Sequence, residues 1–173
     1  MLYFVRHGES EANLEKTFAG SRIDSPLTNK GKEQARKTAQ VIIDSGILFD
    51  RIVSSPLSRA HETGLIIKEI INNKSEVVID NRLTEINFGD ITGKHYVSKK
   101  EINLATVNNT ELPIIIYQRV YEILEELKQT DENILIVWHG FILKMIYAIK
   151  GDVEPSQFYE IKDCKNGELV LIH

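Results

Sequence analysis

The chain has 173 residues, 42% of them hydrophobic, and a formal net charge of −4, which is enough for one domain with a buried core. Acidic and basic residues are spread along it with no basic run and no basic-aromatic interleaving, so nucleic acid is not an expected partner; no apolar stretch approaches the roughly 18–20 residues that span a membrane. Apolar sequence begins at position 2, leaving no room for a secretory leader, and Cys164 is the one cysteine, so no intramolecular disulfide can form and a reducing cytoplasm is the expected compartment.

Taken in chain order, the run Leu2-Tyr3-Phe4-Val5 predicts a buried strand of a parallel sheet. It stops at Arg6-His7-Gly8-Glu9-Ser10, delivering a guanidinium, an imidazole and a glycine turn to the strand's carboxyl end, where open α/β sheets place their ligands. Thr28 is the expected N-cap of a helix to about Ser45, with Ala35, Ala39, Ile42 and Ile43 on one face and Gly46 as its stop. Ile52 to Ser55 predicts a second strand, followed by a helix from Leu57 to about Ile71, and Val77 to Ile79 a third strand. From Thr92 to about Pro113 polar residues dominate and periodicity is poor. This stretch reads either as a lid or specificity loop or as a plain surface connection. Val120, Leu124 and Leu127 fit a third helix, Ile134 to Trp138 a fourth strand running into His139-Gly140, and Phe141 to Ile149 a fourth helix. The tail, Phe158 to Asp163 and Glu168 to Ile172 around Asn166-Gly167, predicts a hairpin whose edge is open to pairing. Strands alternate with helices and no internal repeat occurs, so the expectation is a single α/β domain over residues 1–173.

Four consecutive strand ends carry chemistry. The planar fork of Arg6 can hold two phosphoryl oxygens and stays charged. The imidazole of His7 can accept a phosphoryl group if one nitrogen is unprotonated and the other is fixed by a hydrogen bond. Gly8 lets backbone approach an anion closely. Arg59 falls in the first turn of the second helix, where free N–H groups also favour an anion. Glu85 can protonate a leaving alkoxide and then deprotonate a water, and His139 can steady charge developing on phosphoryl oxygens. Nucleophile, acid/base and cationic cradle together are what phosphoryl transfer needs when no metal does the work. No histidine or carboxylate set shows metal-ligand spacing, Cys164 lacks the arginine of a cysteine-phosphatase loop, and no Gly-x-x-x-x-Gly-Lys loop is present.

As a set these residues resemble the histidine phosphatase superfamily, the group that contains cofactor-dependent phosphoglycerate mutases and many phosphatases. Arg6-His7-Gly8-Glu9-Ser10-Glu11-Ala12-Asn13 is similar to its signature, and Phe18-Ala19-Gly20 to the segment whose backbone lines the pocket. Asp24-Ser25-Pro26-Leu27-Thr28 resembles the entry into the first helix. Ser55-Pro56-Leu57-Ser58-Arg59-Ala60 with Thr63 resembles the second block, Glu85-Ile86-Asn87-Phe88-Gly89 the acid/base block and His139-Gly140 the last. The resemblance covers most of residues 1–93 and 117–145, in order. It implies a three-layer α/β/α sandwich with a mostly parallel sheet, and a metal-independent, cofactor-free phosphatase acting on a small phosphorylated metabolite. His7 would be the phosphoryl acceptor and Glu85 the proton donor, with Arg6, Arg59, His139 and Asn13 on the phosphate. Ser10, Ala19, Gly20 and Gly140 would complete the substrate-binding set. Mutase-type transfer is the alternative, and a non-catalytic phosphate-binding module is a third.

Two departures from the family pattern stand out. Trp138 occupies the usually small position before the second histidine, and its indole either points into the core or narrows the site. The stretch from Thr92 to Leu112 is shorter than the mutases' substrate-covering insertion, which argues for hydrolysis because a mutase must keep water from its phosphohistidine. Lys94, Lys99 and Lys100 are candidate substrate contacts by charge only, and solvated surface lysines are the expected account of them. His61, His95 and His173 carry no expected catalytic role, His95 being the best placed of them for a substrate contact, and Cys164 reads as a bystander. Substrate identity (sugar phosphate, α-ribazole-type nucleotide, phosphoglycerate or phosphoprotein) and oligomeric state are not legible.

Overall fold

Buried strands need neighbours on both edges and cover on both faces, and the apolar runs supply them. The computed structural model describes residues 1–97, 104–151 and 153–173. Its centre is a five-stranded sheet of β1 (Leu2–Arg6), β2 (Arg51–Ser54), β3 (Val77–Ile79), β4 (Ile134–Trp138) and β5 (Leu169–Leu171), in the order β3-β2-β4-β1-β5. The first four strands are parallel, with Phe4 opposite Ile136 and Ile52 opposite Leu135. β5 runs antiparallel on the outer edge of β1. All five residues of β4 are buried, because it lies inside the sheet with helices on both faces.

Alternation along the strands sorts the side chains into two cores. Tyr3, Val5, Ile52, Leu135 and Val137 face α2 (Asn29–Ser45) and α3 (Ser58–Ile70), meeting Ala39, Ile42, Ala60 and Ile67. Leu2, Phe4, Val53, Ile134, Ile136 and Trp138 face α4 (Pro113–Leu127) and α5 (Gly140–Lys150), meeting Ile116, Val120, Ile123 and Met145. The fold is therefore the expected three-layer α/β/α sandwich. Trp138 is fully buried in the second core, so its indole is a core side chain.

The boundaries of α2 are those the sequence predicts. Thr28 accepts from the Gly31 N–H at its start, and Gly46 takes the left-handed conformation at φ 69° at its end. A four-residue helix α1 (Glu11–Leu14) had no periodic signal; it is held by a capping box between Ser10 and Asn13.

The expected C-terminal hairpin is not there. Residues Pro155–Glu160 form a 3₁₀ helix that packs Phe158 into the core, and Asn166-Gly167 turns the chain into β5, whose partner is β1. The polar stretch after Thr92 is anchored by Leu104 and Val107, which join the core, and residues 93–96 run beside 16–18. Lys99 and Lys100 lie outside the described residues.

Candidate active site

The turn after β1 places the first cluster. The Thr28 N–H donates to the Glu9 carbonyl at 2.9 Å and the Glu9 N–H to Gln34 Oε1 at 2.7 Å, pinning the turn on the start of α2. The two segments approach so closely that a Cβ at Gly8 would overlap the Gly31 carbonyl, so only glycine fits. The Gly8 N–H donates to Thr63 Oγ1 at 3.1 Å, which ties the same turn to α3.

His7 is 3% exposed, and its Nδ1 lies 2.6 Å from its neighbour's carbonyl, Gly8 O. A carbonyl can only accept, so Nδ1 carries the proton and Nε2 the lone pair. His139, at the end of β4, is fully buried with its ring centroid 5.1 Å from that of His7. Its Nε2 lies 2.8 Å from Ser55 Oγ, while its buried Nδ1 has no protein hydrogen-bond partner. Burial holds the His139 pKa well below 6.5, with Arg59, His7 and Arg6 adding to the depression, so the ring is neutral at pH 7.

Two arginines supply the positive field. Arg59 is 3% exposed in the first turn of α3, its Nη2 donating to Gly20 O at 2.9 Å and its Nη1 to Ile23 O at 3.3 Å. Burial lowers its pKa while Glu85 and Asp24 raise it; a guanidinium stays charged through such shifts. Arg6 Nη1 donates to the Cys164 carbonyl. Its guanidinium lies against Gly140, where an added Cβ would sit 3.2 Å from Arg6 Cζ, so a larger residue there would push the guanidinium aside by a few tenths of an ångström. Glu85 is 7% exposed; Oε1 accepts from the Ile86 N–H at 3.0 Å and Oε2 from the Phe141 N–H at 3.4 Å. Asn13 Oδ1 accepts from the Ser10 N–H and from Asn166 Nδ2, at 3.2 and 3.1 Å, so the side-chain oxygen is committed to protein and the amide NH₂ is the end available to an anion.

One pocket gathers Arg6, His7, Ser10, Asn13, Ala19, Gly20, Arg59, Glu85 and Gly140, with His139 directly behind His7. Thr17, Phe18, Phe88, Phe141 and Asp163 complete its wall. Of the three other histidines, His61 bonds Ser54 Oγ at 3.1 Å and His95 bonds Thr17 Oγ1 at 3.1 Å. His173 meets Leu2 at the opposite end of the sheet, and none of the three lines the pocket. Lys94 is exposed and also outside the lining. Cys164 contributes its carbonyl rather than its thiol, whose pKa burial pushes up.

Sequence reasoning missed the contribution of residues 163–167. Asn166 Nδ2 donates to the His7 carbonyl as well as to Asn13, and the Gly167 N–H donates to the Arg6 carbonyl. The only local signal there was an Asn-Gly turn, which says nothing of partners some 150 positions earlier. Ser55 and Thr63 were visible as members of a matching block, without roles.

The depressed His139 pKa has a stability consequence. The unfolded chain takes up a proton near pH 6.5 and the folded one does not. Stability is therefore full above that pH and is lost as pH falls toward the folded pKa, with a slope of about 1.4 kcal/mol per pH unit. Chemical denaturation of wild type and His139→Gln between pH 7 and 5 is expected to show that slope flattened in the variant.

Among the described residues, no helix is long and apolar enough to cross a membrane, and no group of three or more His, Cys, Asp or Glu could hold a metal ion. The family model for the histidine phosphatase superfamily (branch 1) matches residues 2–173. A protein of Hydrogenobacter thermophilus, provisionally named phosphoserine phosphatase 2, is 36% identical over 99% of this chain and 88% of its own length. A 2,3-bisphosphoglycerate-dependent phosphoglycerate mutase of Parvibaculum lavamentivorans is 34% identical over 88% of this chain and 70% of its own. The crystal structure of a phosphoserine phosphatase from Entamoeba histolytica with 3-phosphoglyceric acid superposes with a TM-score of 0.77, at 26% identity, over 97% of this chain and 87% of that one.

Proposed function

Because the chain belongs to the histidine phosphatase superfamily (branch 1), we propose that it is a phosphatase that hydrolyses small phosphomonoesters through a phosphohistidine on His7. The superfamily and its relatives support a phosphatase or a mutase; hydrolysis through this set of residues is our reading. The observation that carries it is the Nδ1–H bond from His7 to its own turn, which presents Nε2 as the nucleophilic nitrogen in a pocket shared with Arg6, Arg59 and Glu85.

In this reading the phosphoryl oxygens lie among Arg6, Arg59, Asn13 and His139. The N-terminus of α5 faces the same pocket and favours the anion further. Neutral His139 serves as a hydrogen-bonding group without competing with His7 for a proton. His7 Nε2 attacks phosphorus in line, the P–O bond to the leaving group breaks, and Glu85 gives its proton to the departing alkoxide. Water then attacks the phosphohistidine as the Glu85 carboxylate takes its proton, the P–N bond breaks, and inorganic phosphate leaves with His7 and Glu85 restored. Arginines and neutral donors hold the charge throughout, so the scheme needs no metal.

The mutase is the reading to be excluded, since one relative carries that name. Incubation with a panel of phosphorylated metabolites and with p-nitrophenyl phosphate is expected to release one inorganic phosphate per ester cleaved. Exchange of phosphate between positions of a bisphosphate-primed phosphoglycerate, without release, would establish the mutase instead.

A further inference from the structure

The two imidazoles of the site are anchored at opposite ring nitrogens. His7 is held at Nδ1 by the Gly8 carbonyl, 2.6 Å away, which leaves the Nε2 lone pair for attack. His139 is held at Nε2, which lies 2.8 Å from Ser55 Oγ. Its Nδ1 is buried and has no hydrogen-bond partner among the described residues. Of the arginines, those that act most on this ring are Arg59 and Arg6, both of which line the pocket.

A ring nitrogen and a hydroxyl can bond in either direction, so the direction here is decided by what else the hydroxyl does. Ser55 is fully buried, and its Oγ already accepts from the Leu57 N–H at 3.3 Å. Were Nε2 also to donate, Oγ would hold two donors and its own proton would have no acceptor among the described residues. A bare Nδ1 lone pair would then be left beside two arginines that are there for an oxyanion. With Oγ–H donating to Nε2, the hydroxyl is satisfied in both roles and the imidazole proton sits on Nδ1. The one group left unpaired is then an N–H, which a phosphoryl oxygen can take up.

The hydroxyl can impose this because its backbone is fixed. β2 and β4 run parallel with Ser54 opposite Val137, so Ser55 and His139 leave adjacent strand ends. The Ser55 N–H donates to the Val137 carbonyl at 3.1 Å, and the Ser55 carbonyl accepts from Ser54 Oγ at 3.1 Å.

We propose that Ser55 is a positioning residue for phosphoryl transfer: by donating to Nε2, its hydroxyl fixes His139 as the Nδ1–H tautomer and offers the phosphoryl oxygens a donor instead of a lone pair. A carbonyl at one histidine and a hydroxyl at the other thus give the same side chain two tasks, nucleophile and hydrogen-bond donor. This rests on the reading of the pocket as a phosphoryl site, whether the group passes on to water or to another substrate position.

The test is NMR of protein labelled with ¹⁵N in its histidine rings, at neutral pH, together with calorimetric titration of inorganic phosphate. His139→Asn identifies the His139 signals and puts an amide NH₂, which has no tautomer to set, in place of the ring. The wild-type His139 ring is expected to carry its proton on Nδ1, and that N–H resonance to shift when phosphate is added. Ser55→Ala is expected to lose the single tautomer and to weaken phosphate binding about 10- to 100-fold, the worth of one hydrogen bond to a charged group. In the His139→Asn background the same substitution should change phosphate affinity less than about twofold, a split that general loosening of the strand end would not produce. A wild-type His139 proton on Nε2 overturns the proposal without recourse to any Ser55 variant. So does a Ser55→Ala penalty that is absent, or equal in the two backgrounds. Failure to release phosphate from any ester, with the tautomer and phosphate binding as expected, would instead remove the hydrolytic reading and leave this assignment standing.

Discussion

Replacing His7 with alanine is expected to lower hydrolysis of p-nitrophenyl phosphate by about 10⁴-fold or more, since the variant has no atom to which the phosphoryl group can pass. The acid-labile, base-stable phosphate that the wild-type protein retains after rapid quenching should disappear with it. Arg6 and Arg59 are untouched by the change, and each is held by backbone carbonyls rather than by His7. Inorganic phosphate or vanadate should therefore still raise the thermal midpoint of the variant. Loss of turnover with retained anion binding separates a missing nucleophile from a collapsed pocket. Activity unchanged in His7→Ala would end the phosphohistidine mechanism.

The second large effect concerns Glu85, and its size depends on the leaving group. Glu85→Gln keeps the volume of the side chain and an oxygen that can still accept from the Ile86 or Phe141 N–H, but it can neither give nor take a proton. Cleavage of an alkyl phosphate should fall by about 10²- to 10⁴-fold, the usual worth of general acid–base catalysis. With p-nitrophenyl phosphate the departing phenolate needs little protonation, so the first step should survive while the water step does not. The expected record is a burst of about one p-nitrophenolate per site followed by slow turnover, with phosphorylated protein accumulating. Equal losses on both substrates, with no burst, would place Glu85 outside proton transfer.

The features that could be read from the sequence are those encoded by neighbours in the chain. Thr28 and Gly46 bound α2 because a side-chain oxygen and a left-handed glycine act within a single turn. Arg6-His7, Arg59, Glu85 and His139 could be placed together because parallel strands all release their next residues on the same edge of the sheet. Trp138 was ambiguous until strand alternation put it beside Phe4 and Ile136, on the α4–α5 side. α1 escaped notice because four residues are too few to show a period. The tail was misread because an Asn-Gly turn between apolar runs implies a local hairpin, whereas Leu169–Leu171 finds its partner in β1. Asn166 escaped for the same reason: its bonds to His7 and Asn13 span 159 and 153 positions, and no local pattern records contacts of that range.

The placement of β1 has a consequence for how the molecule comes into being. Both strands that pair with β1, namely β4 and β5, lie at or beyond residue 134, whereas β2 and β3 are separated only by α3 and can associate as soon as β3 has been made. As the chain leaves the ribosome, Leu2, Phe4 and the histidine turn thus emerge well over a hundred residues before either of their sheet partners. Until then an apolar strand with two open edges is exposed to solvent and to other chains, the situation in which a nascent protein is most prone to association and most in need of a chaperone. The same delay guards the chemistry. No nascent fragment that ends before β4 has His139, and none that ends before Asn166 has the full cradle around His7, so phosphoryl-transfer capacity arrives only with the completed sheet.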